Sequence, residues 1–250
     1  MNLRLIRNAT LRLNYGGHEL LTDPYFAPRH SRPSFAGRSP NPLVELPCSP
    51  EEIMAGVELV IVSHLHSDHF DPEAQRLLPK DLPVLCQPGD EEAIRQHGFQ
   101  DVTSVAASVE WRGITITRTP GQHGSGAVLD DMGVVSGFVF QAPREPTVYW
   151  AGDTIWYEPV REAIERFRPD VIITHSSGAV WGEGVQIVMD DAGTVEVCRA
   201  APAGTVVAIH LDSLDHGLVS RTDLRAHARA AGIPDGRLLI PHDGESLDLR

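Results

Sequence analysis

Leu59-Val60-Ile61-Val62-Ser63-His64-Leu65-His66-Ser67-Asp68-His69 is the stretch on which fold and chemistry both turn. Its first four residues read as a buried strand. Three imidazoles and a carboxylate follow within six positions. Neutral imidazole and carboxylate are the ligands that zinc, manganese and iron prefer. In an extended segment side chains alternate, so His64, His66 and Asp68 project to one side and His69 points elsewhere. Such a loop can feed one metal through His64 and His66 and a second through Asp68 and His69. A single structural zinc is normally closed by four ligands, often thiolates. Here the loop alone presents four, none of them Cys. That favours two metals side by side, about 3.5–4 Å apart as in two-metal enzymes.

The remaining ligands follow one rule: a His or Asp placed just after an apolar strand. His123 follows the alternating Ile114-Thr115-Ile116-Thr117, Asp153 follows Thr147-Val148-Tyr149-Trp150, and His210 follows Val206-Val207-Ala208-Ile209. Glycines beside His123 and Asp153 let the backbone turn sharply there. Asp153 is the natural bridge, because a carboxylate between two dications offsets their repulsion.

Strands are expected at 11–15, 19–23, 58–62, 83–87, 109–118, 134–141, 147–151, 170–174, 205–209 and 237–240. The N-terminal alternation through Leu11-Arg12-Leu13 reads as a strand pair, not a signal peptide. Helices are expected after Asp71-Pro72, from Asp90 to Gly98, and over 158–167, 190–200 and 220–231. Ser220 and Asp223 resemble a capping box. Residues 1–250 read as one domain.

Thr22-Asp23-Pro24, the His64–His69 loop, Gln122-His123-Gly124, Gly152-Asp153-Thr154 and His210 occur in that order. On these motifs the chain resembles the metallo-β-lactamase superfamily, and within it the ascorbate-6-phosphate lactonases and related hydrolases. The resemblance spans nearly the whole chain. It implies an α/β fold, a four-layer αββα sandwich with the metal site at one end of the two sheets. Strand–helix alternation alone fits a doubly wound fold equally well. The resemblance also implies His64, His66 and His123 on one metal, Asp68, His69 and His210 on the other, and Asp153 between them. The segment Leu211-Asp212-Ser213-Leu214-Asp215-His216 departs from the lactonases by adding a second His, so His210 and His216 compete for the last position. His210, fixed by a strand, is the expected ligand. His216 has a looser backbone and Asp212 and Asp215 as competitors for its proton, and is a candidate general acid or else a structural residue.

The implied activity is hydrolysis of a small ester, lactone or phosphodiester by a metal-bound hydroxide. Zinc is the first candidate for the two divalent ions, then manganese or iron. Asp68 can ferry a proton while remaining a ligand, and Asp23 can fix the tautomer of a ligand imidazole. The alternatives are an iron-dependent oxidoreductase or oxygenase of the same fold, and a metal-binding protein without catalysis.

The net charge of −13, from 21 basic and 34 acidic residues, argues against a nucleic-acid surface. No run approaches the roughly 20 apolar residues of a membrane span. Cys48, Cys86 and Cys198 form no C-x-x-C pair, which points to a reducing cytoplasm. The expected partner is a small-molecule substrate, and a homo-oligomer is compatible with the sequence. Two carboxylates against two dications leave local positive charge that would suit an anion. The proline-rich stretch Pro24–Pro50 reads as a lid or pocket wall supplying Arg29, Arg32 and Arg38 to such an anion, or else as a surface wrap or subunit contact. Trp156, Tyr157 and Trp181 are candidate pocket aromatics. His175, ending the strand before it, reads as a residue behind the ligands or as a solvated one.

Overall fold

The computed structural model describes residues 1–249. Six strands open the chain: β1 (Asn2–Arg7), β2 (Thr10–Tyr15), β3 (His18–Thr22), β4 (Leu59–Val62), β5 (Val84–Cys86) and β6 (Val102–Ser104). Then come β7 (Ser108–Trp111), β8 (Ile114–Pro120), β9 (Ser136–Gln141), β10 (Val148–Trp150), β11 (Val171–His175), the short pair β12 (Val180–Trp181) and β13 (Val185–Gln186), β14 (Thr205–Ile209), β15 (Leu238–Leu239) and β16 (Ser246–Asp248). One seven-stranded sheet has the order β16-β1-β2-β3-β4-β5-β6 and the other β15-β14-β11-β10-β9-β8-β7, with β12 and β13 forming a separate hairpin.

Period-two alternation decides the layers. Leu59 and Ile61 of β4 face the space between the sheets, as do Ile173 of β11 and Val207 and Ile209 of β14. Their neighbours Val60 and Val62 face outward against Ile53, Ala74 and Ile94. Those three residues belong to α1 (Pro50–Met54), α2 (Pro72–Leu77) and α3 (Glu91–Gln96). On the other side Ile172, Val206 and Ala208 pack against Val160, Ile164, Val195, Leu224 and Ala228. These lie on α5 (Glu158–Phe167), α6 (Asp191–Ala200) and α7 (Arg221–Ala230), while the one-turn α4 (Val128–Met132) stands apart. Strands buried on both faces need covering on both, and the result is the expected αββα sandwich.

Residues 109–118 are not one strand. Arg112 and Gly113, both at positive φ (47° and 83°), turn the chain so that β7 pairs antiparallel with β8. This is the backbone of a two-residue hairpin. The helices over 158–167, 190–200 and 220–231 form as read, and Ser220 caps α7 with Asp223 reciprocating.

The proline-rich segment is a fixed strap. At its base the Arg7 guanidinium, 0% exposed, donates to the carbonyls of Val44 (3.0 Å), Tyr25 (3.0 Å) and Ala27 (2.9 Å). Near its tip the Asp215 carboxylate, 5% exposed, accepts from the backbone N–H of Phe35 (2.9 Å), Ala36 (3.1 Å), Arg38 (3.1 Å) and Ser39 (3.3 Å). It also accepts from Asn41 Nδ2 (2.9 Å) and the Ser34 hydroxyl. A buried cation thus holds the strap's carbonyls and a buried anion its N–H groups.

Candidate metal centre

Strand ends from both sheets deliver the site. Asp23 follows β3 and the His64–His69 loop follows β4; β3 and β4 are parallel neighbours. His123, Asp153 and His210 follow β8, β10 and β14, and His175 ends β11. The strands β10, β11 and β14 run parallel, so their carboxyl ends open at one edge. Clefts in α/β sheets form at such ends. Two of these positions carry backbone strain. Asp23 (φ 38°) and His210 (φ 63°) both lie in the left-handed region, where non-glycine residues are uncommon.

The donor atoms fall into two groups. Those of His64, His66 and His123 lie within 4.8 Å of one another, as do those of His69, Asp153, His175 and His210. Asp153 lies between the groups. Its Oδ2 is 3.2 Å from His69 Nε2, 3.4 Å from His123 Nε2 and 3.9 Å from His64 Nε2, and its Oδ1 is 3.8 Å from His210 Nε2. Asp68 Oδ2 is 3.3 Å from His69 Nε2 and 3.2 Å from His210 Nε2. Donors bound at about 2.0–2.1 Å to a tetrahedral ion stand about 3.3–3.4 Å apart, so these spacings fit a shared ion. A second observation agrees. Nε2 of His64 and of His69 are buried without a hydrogen-bond partner, an arrangement costly unless something else fills the lone pair.

The opposite ring nitrogens are held from behind. His69 Nδ1 donates to Asp23 Oδ2 at 2.6 Å, and His123 Nδ1 donates to the Ile187 carbonyl at 2.7 Å. The Ser63 hydroxyl donates to Asp23 Oδ2 (2.7 Å), so its oxygen accepts from His64 Nδ1 (3.0 Å). One carboxylate therefore orients two imidazoles, His69 directly and His64 through Ser63. With Nδ1 protonated, each Nε2 keeps its lone pair for the centre. Ser177 Oγ, 3.3 Å from His210 Nδ1, stands in the corresponding position behind His210.

Burial sets the charge states. It pushes the His64 ring well below the usual imidazole range and His123 down to about 4. Burial opposes charge on Asp68 and Asp153, but His69 and the other imidazoles outweigh it and hold both carboxyls well below their usual range. His69 goes the other way: despite its burial, Asp153, Asp68 and Asp23 raise its ring well above the usual imidazole range. Neutral imidazoles and ionised carboxylates are the forms that bind cations, so His69 is the ring that gives up a proton when an ion binds.

A cavity of about 190 Å³ opens over the centre. Its floor includes His66, Asp68, His123 and Asp153, and its wall includes Phe35, Met132, Trp181, Ile187 and His216. Trp181 comes from the β12–β13 hairpin and Met132 from α4; Trp156 and Tyr157 pack on the outer helices instead. Among the described residues no Lys or Arg lines the cavity. Arg29 and Arg38 are exposed, and the strap contributes Phe35 alone. The expected cationic lid is thus an apolar wall.

His216 is 6% exposed, and its ring meets Phe35 edge-on at 5.0 Å between centroids. The expected competition for its proton does not arise. Asp212 pairs with Arg221 at 3.0 Å, and Asp215 is committed to the strap. Asn8 escaped sequence reasoning. Its Nδ2 donates to the Asp68 backbone carbonyl (3.1 Å) and reaches Oδ2 (3.3 Å), while its own carbonyl accepts from His210 N (3.0 Å). Nothing in an isolated Asn after a strand signals that role.

Residues 18–211 match the family model described as a beta-lactamase superfamily domain. The chain belongs to that superfamily. Among its members, the UPF0173 protein YddR of Bacillus subtilis is 34% identical over 252 residues, covering 98% of this chain and 99% of YddR. The crystal structure of an isothiocyanate hydrolase from Delia radicum gut bacteria superposes with a TM-score of 0.94 at 37% identity, covering 100% of this chain and 99% of that one. A possible metal-dependent hydrolase from Veillonella parvula gives 0.95 at 35% identity, with the same coverage. Superfamily membership accounts for the order of the strand-end motifs.

Proposed function

We propose that the chain is a binuclear metal-dependent hydrolase for a small, uncharged substrate with an electrophilic carbon and an apolar tail, an isothiocyanate first among them. One observation carries this reading: the His and Asp donors floor a cavity walled by Phe35, Met132, Trp181 and Ile187, with Ser67, Asp131 and His216 as its other lining residues. The isothiocyanate is suggested by the 37% identical hydrolase. Esters and lactones offer the same kind of carbon, whereas a phosphodiester brings a charge that no cation among the described lining residues meets.

His64, His66 and His123 would hold one ion, Asp68, His69 and His210 the other, and Asp153 both. Zinc suits an imidazole-rich set, and manganese or iron can use it. When bound, two divalent ions supply Lewis acidity and bring the pKa of water toward neutrality. The chain's own residues do the rest. The four apolar side chains bind the tail and exclude water. Asp23 orients His69 and His64. Burial lowers the His216 pKa, so its ring enters the reaction neutral. It would take a proton from the attacking water and return it to the nitrogen of an isothiocyanate or to the leaving oxygen of an ester or lactone. Asp68, which lines the cavity, can pass the proton on.

Residues 1–250 act as a single domain in this reading, because the cluster draws on both sheets. Three unpaired cysteines suit a reducing cytoplasm. The test is a panel of phenyl and benzyl isothiocyanates, lactones, carboxylic esters and a phosphodiester, with zinc, manganese or iron supplied. Faster turnover of the phosphodiester than of every neutral substrate would overturn the reading. Oxygen consumption with iron alone would favour the oxidoreductase.

A further inference from the structure

One buried imidazole at the centre has no part in the mechanism above. His175 is completely buried, and a donor atom of its ring lies within 4.8 Å of those of His69, Asp153 and His210. By distance alone it is a fourth ligand. Its hydrogen bonds say otherwise. Trp150 Nε1 lies 3.0 Å from His175 Nε2. An indole N–H only donates, so Nε2 must accept, and the ring proton must sit on Nδ1. His175 Nδ1 lies 2.5 Å from Asp153 Oδ1 and donates to it. A ring whose one lone pair is taken by indole, and whose other nitrogen carries a proton, has nothing left for a metal.

We infer that His175 is a positioning residue that occupies Asp153 Oδ1 and leaves Oδ2 facing His64, His69 and His123, with Trp150 fixing the tautomer that does so. This rests on the reading of Asp153 as the bridging carboxylate. The anchor is rigid. Trp150 is fully buried between the sheets, stacked with Phe138 at 5.9 Å between centroids. The His175 ring also lies nearly parallel to those of His210 (5.1 Å, 23°) and His69 (5.7 Å, 23°). The line Trp150–His175–Asp153 therefore carries the orientation of the core to the centre of the site. Without it the carboxylate could rotate and present either oxygen.

The experiment measures zinc binding by chelator competition, together with the visible spectrum of the cobalt-substituted protein, for the wild type, His175→Leu, His175→Asn and Trp150→Phe. Asn places its amide N–H where Nδ1–H stands but offers Trp150 no ring nitrogen. His175→Leu should still take the wild-type number of ions at saturation, with an affinity lower by about 10–100-fold and an altered cobalt spectrum, as for other residues that orient metal ligands. His175→Asn should recover most of that loss, and Trp150→Phe should fall between Leu and wild type. An unchanged affinity in His175→Leu overturns the inference. So does the loss of one ion at saturation in both His175 variants, which would make His175 a ligand. If the Leu variant does not fold, wild-type affinity in Trp150→Phe overturns the tautomer lock, and a clear loss there supports it. The ion count of the wild type and of Asp153→Ala tests the bridging reading separately.

Discussion

Asp215→Asn tests the strap most sharply. The carboxylate collects four backbone N–H donors, an amide and a hydroxyl, all from residues 34–41. Asn keeps the shape, removes the charge and turns an N–H₂ group toward donors. Hydrogen bonds to a charged group contribute about 1.5–3 kcal/mol each, but these share one charge and do not add. Phe35 is only partly buried and Ala36 and Arg38 are exposed, so water can replace some of the lost partners. The expected cost is about 2–4 kcal/mol, less than the loss of a whole buried ion pair at 3–5 kcal/mol. Equilibrium urea unfolding of both proteins measures it. The pH dependence provides an internal control. Burial raises the Asp215 pKa, but the bonds from Ser34, Asn41 and the backbone of Phe35 and Arg38 outweigh this and hold it well below the usual carboxylate range. A depressed native pKa stabilises above the unfolded value of about 3.9 and loses that contribution as pH falls through the native value. The gap between the two proteins should therefore be full near pH 6 and shrink in acid. A gap under about 0.5 kcal/mol at pH 6, within the usual range for surface substitutions, would refute the account of the strap.

Metal-replete protein should contain about two divalent ions per chain by elemental analysis, and one or fewer would end the binuclear reading. His210→Ala should lower occupancy at one site while His216→Ala keeps both ions and lowers kcat; the reverse pattern exchanges their roles. Phe35→Ala removes an aromatic face from the cavity and should raise KM for benzyl isothiocyanate by about tenfold, with a smaller change for the methyl compound; equal changes would remove Phe35 from substrate binding. Gly152→Ala should destabilise by at least about 3 kcal/mol in thermal unfolding, since Gly152 has φ +69° and an added Cβ would lie 2.5 Å from the Ser136 carbonyl oxygen. Wild-type stability in that variant would mean the turn before Asp153 can relax.

The cluster was legible because its residues share a local pattern: an apolar strand followed closely by a His or Asp. That pattern found His123, Asp153 and His210 without knowledge of their distance from His64. It could not reveal whether the sheets pack face to face, which needed the superfamily resemblance. The cavity wall was legible only in part. Trp181 lines it as expected of a loop aromatic, whereas Trp156 and Tyr157 do not, and Met132 sits on a one-turn helix too short for periodicity to register. Asp215 read as a competitor for His216 because sequence shows neighbours along the chain, whereas its partners lie some 174–181 residues away. His175 was visible as a strand end, but only tertiary structure brings the Trp150 indole to its Nε2.

The division of the sheets along the chain has a consequence for assembly. Residues up to Ser104 build all of the first sheet except β16, and those from Ser108 to Leu239 build the second. The exposed Ala106 and Ala107 form the joint between the two blocks. His64, His66, Asp68 and His69 come from one block, and His123, Asp153 and His210 from the other. β16 then crosses back to pair with β1, Leu247 opposite Leu3, and latches the second block to the first. Cut at that joint, the chain becomes two fragments that each hold part of a cation cage, and neither can close it. On the proposed reading their mixture would bind a divalent ion tightly only as the fragments dock, which would make the cluster a coincidence detector for its own scaffold.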